Sequence, residues 1–167
     1  MDDDEISCEV PPTAVSGRFA DTTYCQILID MMRLSSTAKK RLSSARALRQ
    51  TAEQLVETVR DLNQKLDELR NCHSLQKLLL DSPLESGNLP EGWTLRQAQS
   101  LQYHYFSLVL DINTPLAHPW SGICAYARRD ISAFTQLEMS RNAVAQASRA
   151  AILSTRQIRV DTSCPAL

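Results

Sequence analysis

A chain of 167 residues, 43% hydrophobic and 22% charged, has the make-up of one globular domain with a core of its own. Its formal net charge of −1 supplies no global field for nucleic acid or an anionic membrane, and its four glycines are too few for the tight turns of a sandwich or barrel. The five cysteines, at 8, 25, 72, 124 and 164, form no C-x-x-C pair; this excludes a zinc ribbon and a thioredoxin-type motif and reads as free thiols in a reducing, intracellular compartment.

The acidic start "MDDDEISCEV" has no apolar stretch, so it is neither a signal nor a transit peptide. With "PPTAVSG" after it, residues 1–20 read as a poorly ordered leader. A helical domain is expected over 21–160 and a tail over 161–167. Asp21–Thr23 offer N-caps for a first helix whose apolar positions are Ile27, Leu28, Met31, Leu34, Ala38, Leu42 and Ala45. Its other face carries Arg33, Lys39, Lys40, Arg41, Arg46 and Arg49. Without interleaved aromatics this basic stretch reads as a solvated helix face before it reads as a nucleic-acid contact.

"TAEQ" at 51–54 has the form of a capping box, in which Thr51 and Gln54 each satisfy the other's backbone amide. Leu55, Val59, Leu62, Leu66 and Leu69 follow at alternating steps of four and three. This stripe is the candidate partner-binding seam. It spans only about two heptads, so packing against the first helix in a hairpin competes with dimerisation. Residues 71–94 read as a connector, with two prolines and two glycines in "DSPLESGNLPEGW". "TLRQ" at 94–97 offers a second capping box. The helix it opens, Leu95 to Ala117, is apolar on most sides from Tyr103 to Ile112 and is expected to be central. His118–Pro119 ends it, and "HPWSG" reads as a loop. A fourth helix within 128–158 has Leu137, Val144, Ala147, Ala151, Ile152 and Ile158 as its apolar face. Small residues at Ala143, Ala147 and Ala150 permit close approach of a neighbour. The expected fold is all-α: an irregular bundle of about four main helices with a Pro/Gly-containing connector.

The chemistry-bearing residues are sparse. "SLQYHYFSLVLDI" at 100–112 holds Tyr103, His104 and Tyr105 in an apolar run. On a helix Tyr103 and His104 point about 100° apart, so they do not form a working pair. His104 shares a face with Leu108 and Asp111, and a ligand-binding or catalytic surface of Tyr103, His104 and Asp111 is the alternative to simple burial. No G-x-S-x-G or other nucleophile motif accompanies it. Cys72–His73 is the one adjacent Cys–His pair, and the remaining Cys and His are scattered too widely for a tetrahedral zinc site. No apolar run approaches the ~20 residues of a membrane span.

Four stretches in order resemble the fungal-specific transcription-factor domain, the middle homology region of zinc binuclear-cluster (Zn2Cys6-type) regulators. They are "DDDEISCEVP", "SSTAKKRLSSARALRQTAEQLVETVRDLNQKLDEL", "LRQAQSLQYHYFSLVLDINTPLAHPW" and "SRNAVAQASRAAILSTRQI", which together reach from Asp2 to Ile158. The resemblance implies a non-enzymatic, nuclear regulatory region that acts through protein partners, self-association or an effector, and needs no cofactor. The family reads DNA through a six-cysteine cluster holding two zinc ions. That cluster is absent from this sequence, so zinc and direct DNA contact are expected only of a parent protein. The family's domain is also commonly longer, so the chain looks like an interior slice of one: a short gene product, a fragment or an incomplete gene model.

Overall fold

The computed structural model describes residues 19–72, 89 and 92–155. The expected leader up to residue 18, most of the connector, His73, Ile158 and the tail lie outside them. The described chain is all-α, with four main helices and one short one. They are α1 (Phe19–Leu42), α2 (Ala52–Cys72), α3 (Leu95–Ala117), α4 (Ser121–Ala127) and α5 (Ile131–Thr155).

The first helix starts two residues before the expected caps and stops at Leu42, short of Ala45. Local polar bonds account for the early stop. The Ser44 hydroxyl accepts from the Ala47 amide at 3.1 Å, and the Gln50 side chain donates to the freed Arg41 carbonyl at 3.2 Å. A single 3-10 turn, Ala47–Arg49, follows, and it buries Ala47 in place of Ala45, which is exposed. Both capping boxes form. Thr51 accepts from the Gln54 amide at 3.2 Å and its own amide donates back at 3.1 Å. Thr94 and Gln97 do the same at 3.2 and 2.9 Å. Gly92, at φ 82°, turns the chain into this second cap, a conformation glycine adopts without a Cβ clash. Trp93 beside it meets Tyr24 of α1 edge-to-face, with centroids 5.8 Å apart.

Helix α3 is central, packed by α1, α2 and α5, with Leu101, Ile112 and Leu116 fully buried. Pro115 sits inside its last turn, where the lost hydrogen bond would have gone to the carbonyl of the exposed Asp111. Part of the expected "HPWSG" loop is instead the start of α4, anchored by the buried Ile123 and Ala127, one turn apart. Asp130 then caps α5, its carboxylate accepting from the amides of Ser132 at 2.8 Å and Ala133 at 3.3 Å. These two bonds and a third from the Tyr126 hydroxyl hold its pKa below the ordinary carboxylate value, the Tyr126 bond contributing most.

Candidate functional site: a three-helix groove

The expected partner seam is turned inward. Leu55, Val59, Leu62 and Leu66 are buried in the common core, and Leu69 packs against it half-buried. α2 spends this stripe on α1 and α3, so in this fold it offers no surface to a second chain, and the hairpin packing prevails over the seam. The expected Tyr103–His104–Asp111 surface does not converge either. His104 and Asp111 are exposed, and the His104 ring bonds its own helix through Nδ1 and the Ser100 carbonyl at 2.8 Å. The Tyr103 hydroxyl is buried and has no hydrogen-bond partner among the described residues. Tyr105, on another face, is buried in the core. Cys72 is exposed, and no cluster of three metal-ligating side chains occurs among the described residues.

What the fold does build is a groove of about 530 Å³, walled by α2 and α5 and floored by α3. Its axis follows from two sets of bonds. Asn113 of α3 meets Ser140 of α5 while Gln102 meets Ser154, so numbers rise on one helix as they fall on the other. Asn63 of α2 likewise meets Asn113 while Arg70 reaches Tyr105. Both walls therefore run antiparallel to the floor, and the groove has two distinct ends.

One end is closed by amides. Asn63 and Asn113 exchange a reciprocal pair of hydrogen bonds at 2.9 and 3.0 Å. Asn113 also donates to the Val109 carbonyl at 3.0 Å and accepts from the Ser140 hydroxyl at 2.9 Å. This buried cluster pins three helices in one register and leaves Asn113 with no unmet hydrogen-bonding group.

The other end gathers Arg70, Tyr105 and Arg149. Arg70 pairs with Asp67 at 2.9 Å and its guanidinium lies beside the Tyr105 hydroxyl. Burial pushes the Tyr105 pKa above its ordinary value, and the Arg70 charge opposes that rise. Between the ends the lining is mostly apolar, Leu66, Phe106, Val109, Ala143 and Ala147, with the polar Gln146 exposed on the α5 side; Met139 and Leu153 stand on the α5 rim at the two ends.

No family model, curated protein or solved structure matches this chain. The groove therefore stands on its own geometry. Its volume falls within the range of small-molecule sites, and its lining, mostly apolar with a few polar groups, is of the same kind. The sequence reading missed it because its members sit on three helices, and Asn63, Arg70 and Arg149 look like ordinary surface residues until the helices are in register. Asn113 was the one available signal, an amide at a buried position of an apolar helix.

The basic stretch of α1 forms a second, more polar recess with the start of α2, lined by Lys40, Arg41, Arg46, Arg49, Gln50 and Glu57 among others. Arg41 pairs there with Asp61, which also meets Lys65 at 3.2 Å, and Arg33 meets Asp30 at 3.8 Å. Acids on α1 and α2 thus offset part of the charge. Among the described residues no helix is long and apolar enough to cross a membrane.

Proposed function

We propose that this chain is the regulatory, middle-homology region of a fungal-type transcription regulator, a non-enzymatic nuclear module that responds to a bound effector or protein partner. DNA is read by a zinc-cluster segment elsewhere in a parent protein. Supporting this reading is the ordered resemblance of the four stretches together with the role of the third of them. "LRQAQSLQYHYFSLVLDINTPLAHPW" supplies the central helix, and its Tyr105, Phe106, Val109 and Asn113 floor the groove. A regulatory domain needs a binding surface coupled to its core, and this floor is both.

The test is a fusion of the whole chain to a heterologous DNA-binding module in a yeast carrying the matching reporter. The expected result is a several-fold change in reporter transcription, up or down, that is lost when the core is broken by Leu62→Asp. A reporter indifferent to the well-expressed fusion in every growth condition rejects the proposal.

A further inference from the structure

We infer that the groove between α2, α3 and α5 binds an amphipathic organic anion, an elongated apolar body ending in one carboxylate, with the carboxylate at Arg149. The inference rests on the regulatory reading above and names the effector class.

Three features fit that ligand. The first is charge. Three ionisable side chains other than tyrosine line the groove: Asp67, Arg70 and Arg149. Asp67 neutralises Arg70, whereas Arg149 has no acid partner among the described residues. Among the described residues the groove therefore carries one positive charge without an acid partner, at a single end, with the Tyr105 hydroxyl and the Arg70 guanidinium on the facing helices. A guanidinium is suited to a carboxylate because its fork of N–H donors matches the two oxygens.

The second feature is the apolar middle. Phe106, Val109 and Ala147 there are nearly closed to solvent, while Met139 at the amide end and Leu153 at the Arg149 end of the α5 wall are left 59% and 47% exposed. A hydrocarbon laid along α3 from Arg149 toward Asn113 runs over Phe106 and Val109 and ends near Met139, without displacing any hydrogen bond. The third is length. From Tyr105 to Asn113 the floor advances eight residues, about 12 Å at 1.5 Å per residue. That is the span of an extended chain of roughly ten carbons, each step of about 1.25 Å following ordinary covalent geometry. The amide cluster at the far end has no unmet donor or acceptor in Asn113, so the ligand needs no second polar group there.

The probe is decanoate, with decanol and decyltrimethylammonium as the uncharged and cationic controls, titrated into the full chain by calorimetry. Decanoate is expected to bind one per chain, decanol about tenfold more weakly and the cation not at all, as loss of one charge-assisted contact implies. Arg149→Gln, at an exposed position, should weaken decanoate about tenfold and leave decanol unchanged. Ala143→Phe, filling the groove from its wall, should abolish both, with circular dichroism confirming that the helices persist. Equal binding of decanoate and decanol, or undiminished decanoate binding by Arg149→Gln, overturns the assignment. So does no decanoate binding at all, or a dimer that Ala143→Phe dissociates, which would make a second copy the occupant. The reporter fusion separates the two proposals: regulation without decanoate binding removes the ligand alone, and decanoate binding without regulation removes the regulator alone.

Discussion

Asn113 shows how one side chain sets the relation of three helices. Its amide is 1% exposed and shares bonds with Asn63, Ser140 and the Val109 carbonyl. Replacing it with leucine keeps the branched shape, with bulkier methyl groups, but strands the Asn63 amide and the Ser140 hydroxyl, and a buried polar group left unpaired costs about 1–3 kcal/mol. We expect Asn113→Leu to lose about 2–3 kcal/mol of stability in urea titration. Adding Asn63→Leu should recover part of that loss, because the two amides depend on each other. Strict additivity of the two changes would show that the pair contributes nothing as a pair. Asp61 acts at the same scale through charge. Its hydrogen bond from Arg41, then that from Lys65, holds its pKa below the ordinary carboxylate value. A depressed pKa means that the contribution is present above the unfolded value of about 3.9 and is lost as pH falls through the lower folded value. Asp61→Asn should therefore be less stable than the parent at pH 7 and equal to it once both carboxyl states are protonated. The difference stays below about 1 kcal/mol because solvent screens a pair this exposed. A gap that persists unchanged into strong acid would contradict the ion pair as its origin.

At the scale of elements, the two capped helix starts and the apolar faces of α1 and α2 were legible, and the face of α5 was not. "TAEQ" and "TLRQ" predict two helix starts because their capping chemistry is local, and both boxes form as written. Thr94→Ala removes the acceptor for the Gln97 amide at the head of the central helix. It should cost about 1 kcal/mol, a fall in Tm of about 2–4 °C for a chain of this size. Thr94→Ser should restore most of it, and an unchanged melting curve for Thr94→Ala would mean that the cap does not govern this end. Faces depend on neighbours, and α5 shows the cost of not knowing them. Its expected apolar face ran from Leu137 to Ile158; of its described residues, Leu137 and Ala147 are buried, Val144 and Ala151 half-buried, and Ile152 is exposed. The helix has rotated to bury Gln136, Ser140 and Ser154 instead, because Asn113 and Gln102 on α3 give the two serines hydrogen-bond partners. A hydropathy pattern cannot register such a pairing. α4 escaped notice for a different reason: only seven residues long, it shows one apolar repeat, Ile123 to Ala127.

Across the whole molecule, the decisive question is which apolar residues are committed to the core and which remain outside. Periodicity ranks Leu62 and Ile152 alike, yet Leu62 is 0% exposed between helices and Ile152 is 66% exposed on the outer side of α5. The two positions should respond oppositely to the same truncation. Leu62→Ala removes buried carbons from the point where α2 joins the common core, and a large-to-small change there costs about 2–5 kcal/mol. Ile152→Ala uncovers nothing packed and should stay within about 0.5 kcal/mol of the parent. The dimer-seam expectation for Leu55–Leu69 makes a competing forecast, because a leucine at an interface loses its effect as the oligomer dissociates. The core reading requires the Leu62→Ala loss to be the same at low and tenfold higher protein concentration, since every contact it removes lies within one chain. Urea titrations at the two concentrations decide between them. A loss that changes with concentration would return the stripe to the surface and, with it, the floor and walls of the groove on which the effector assignment stands.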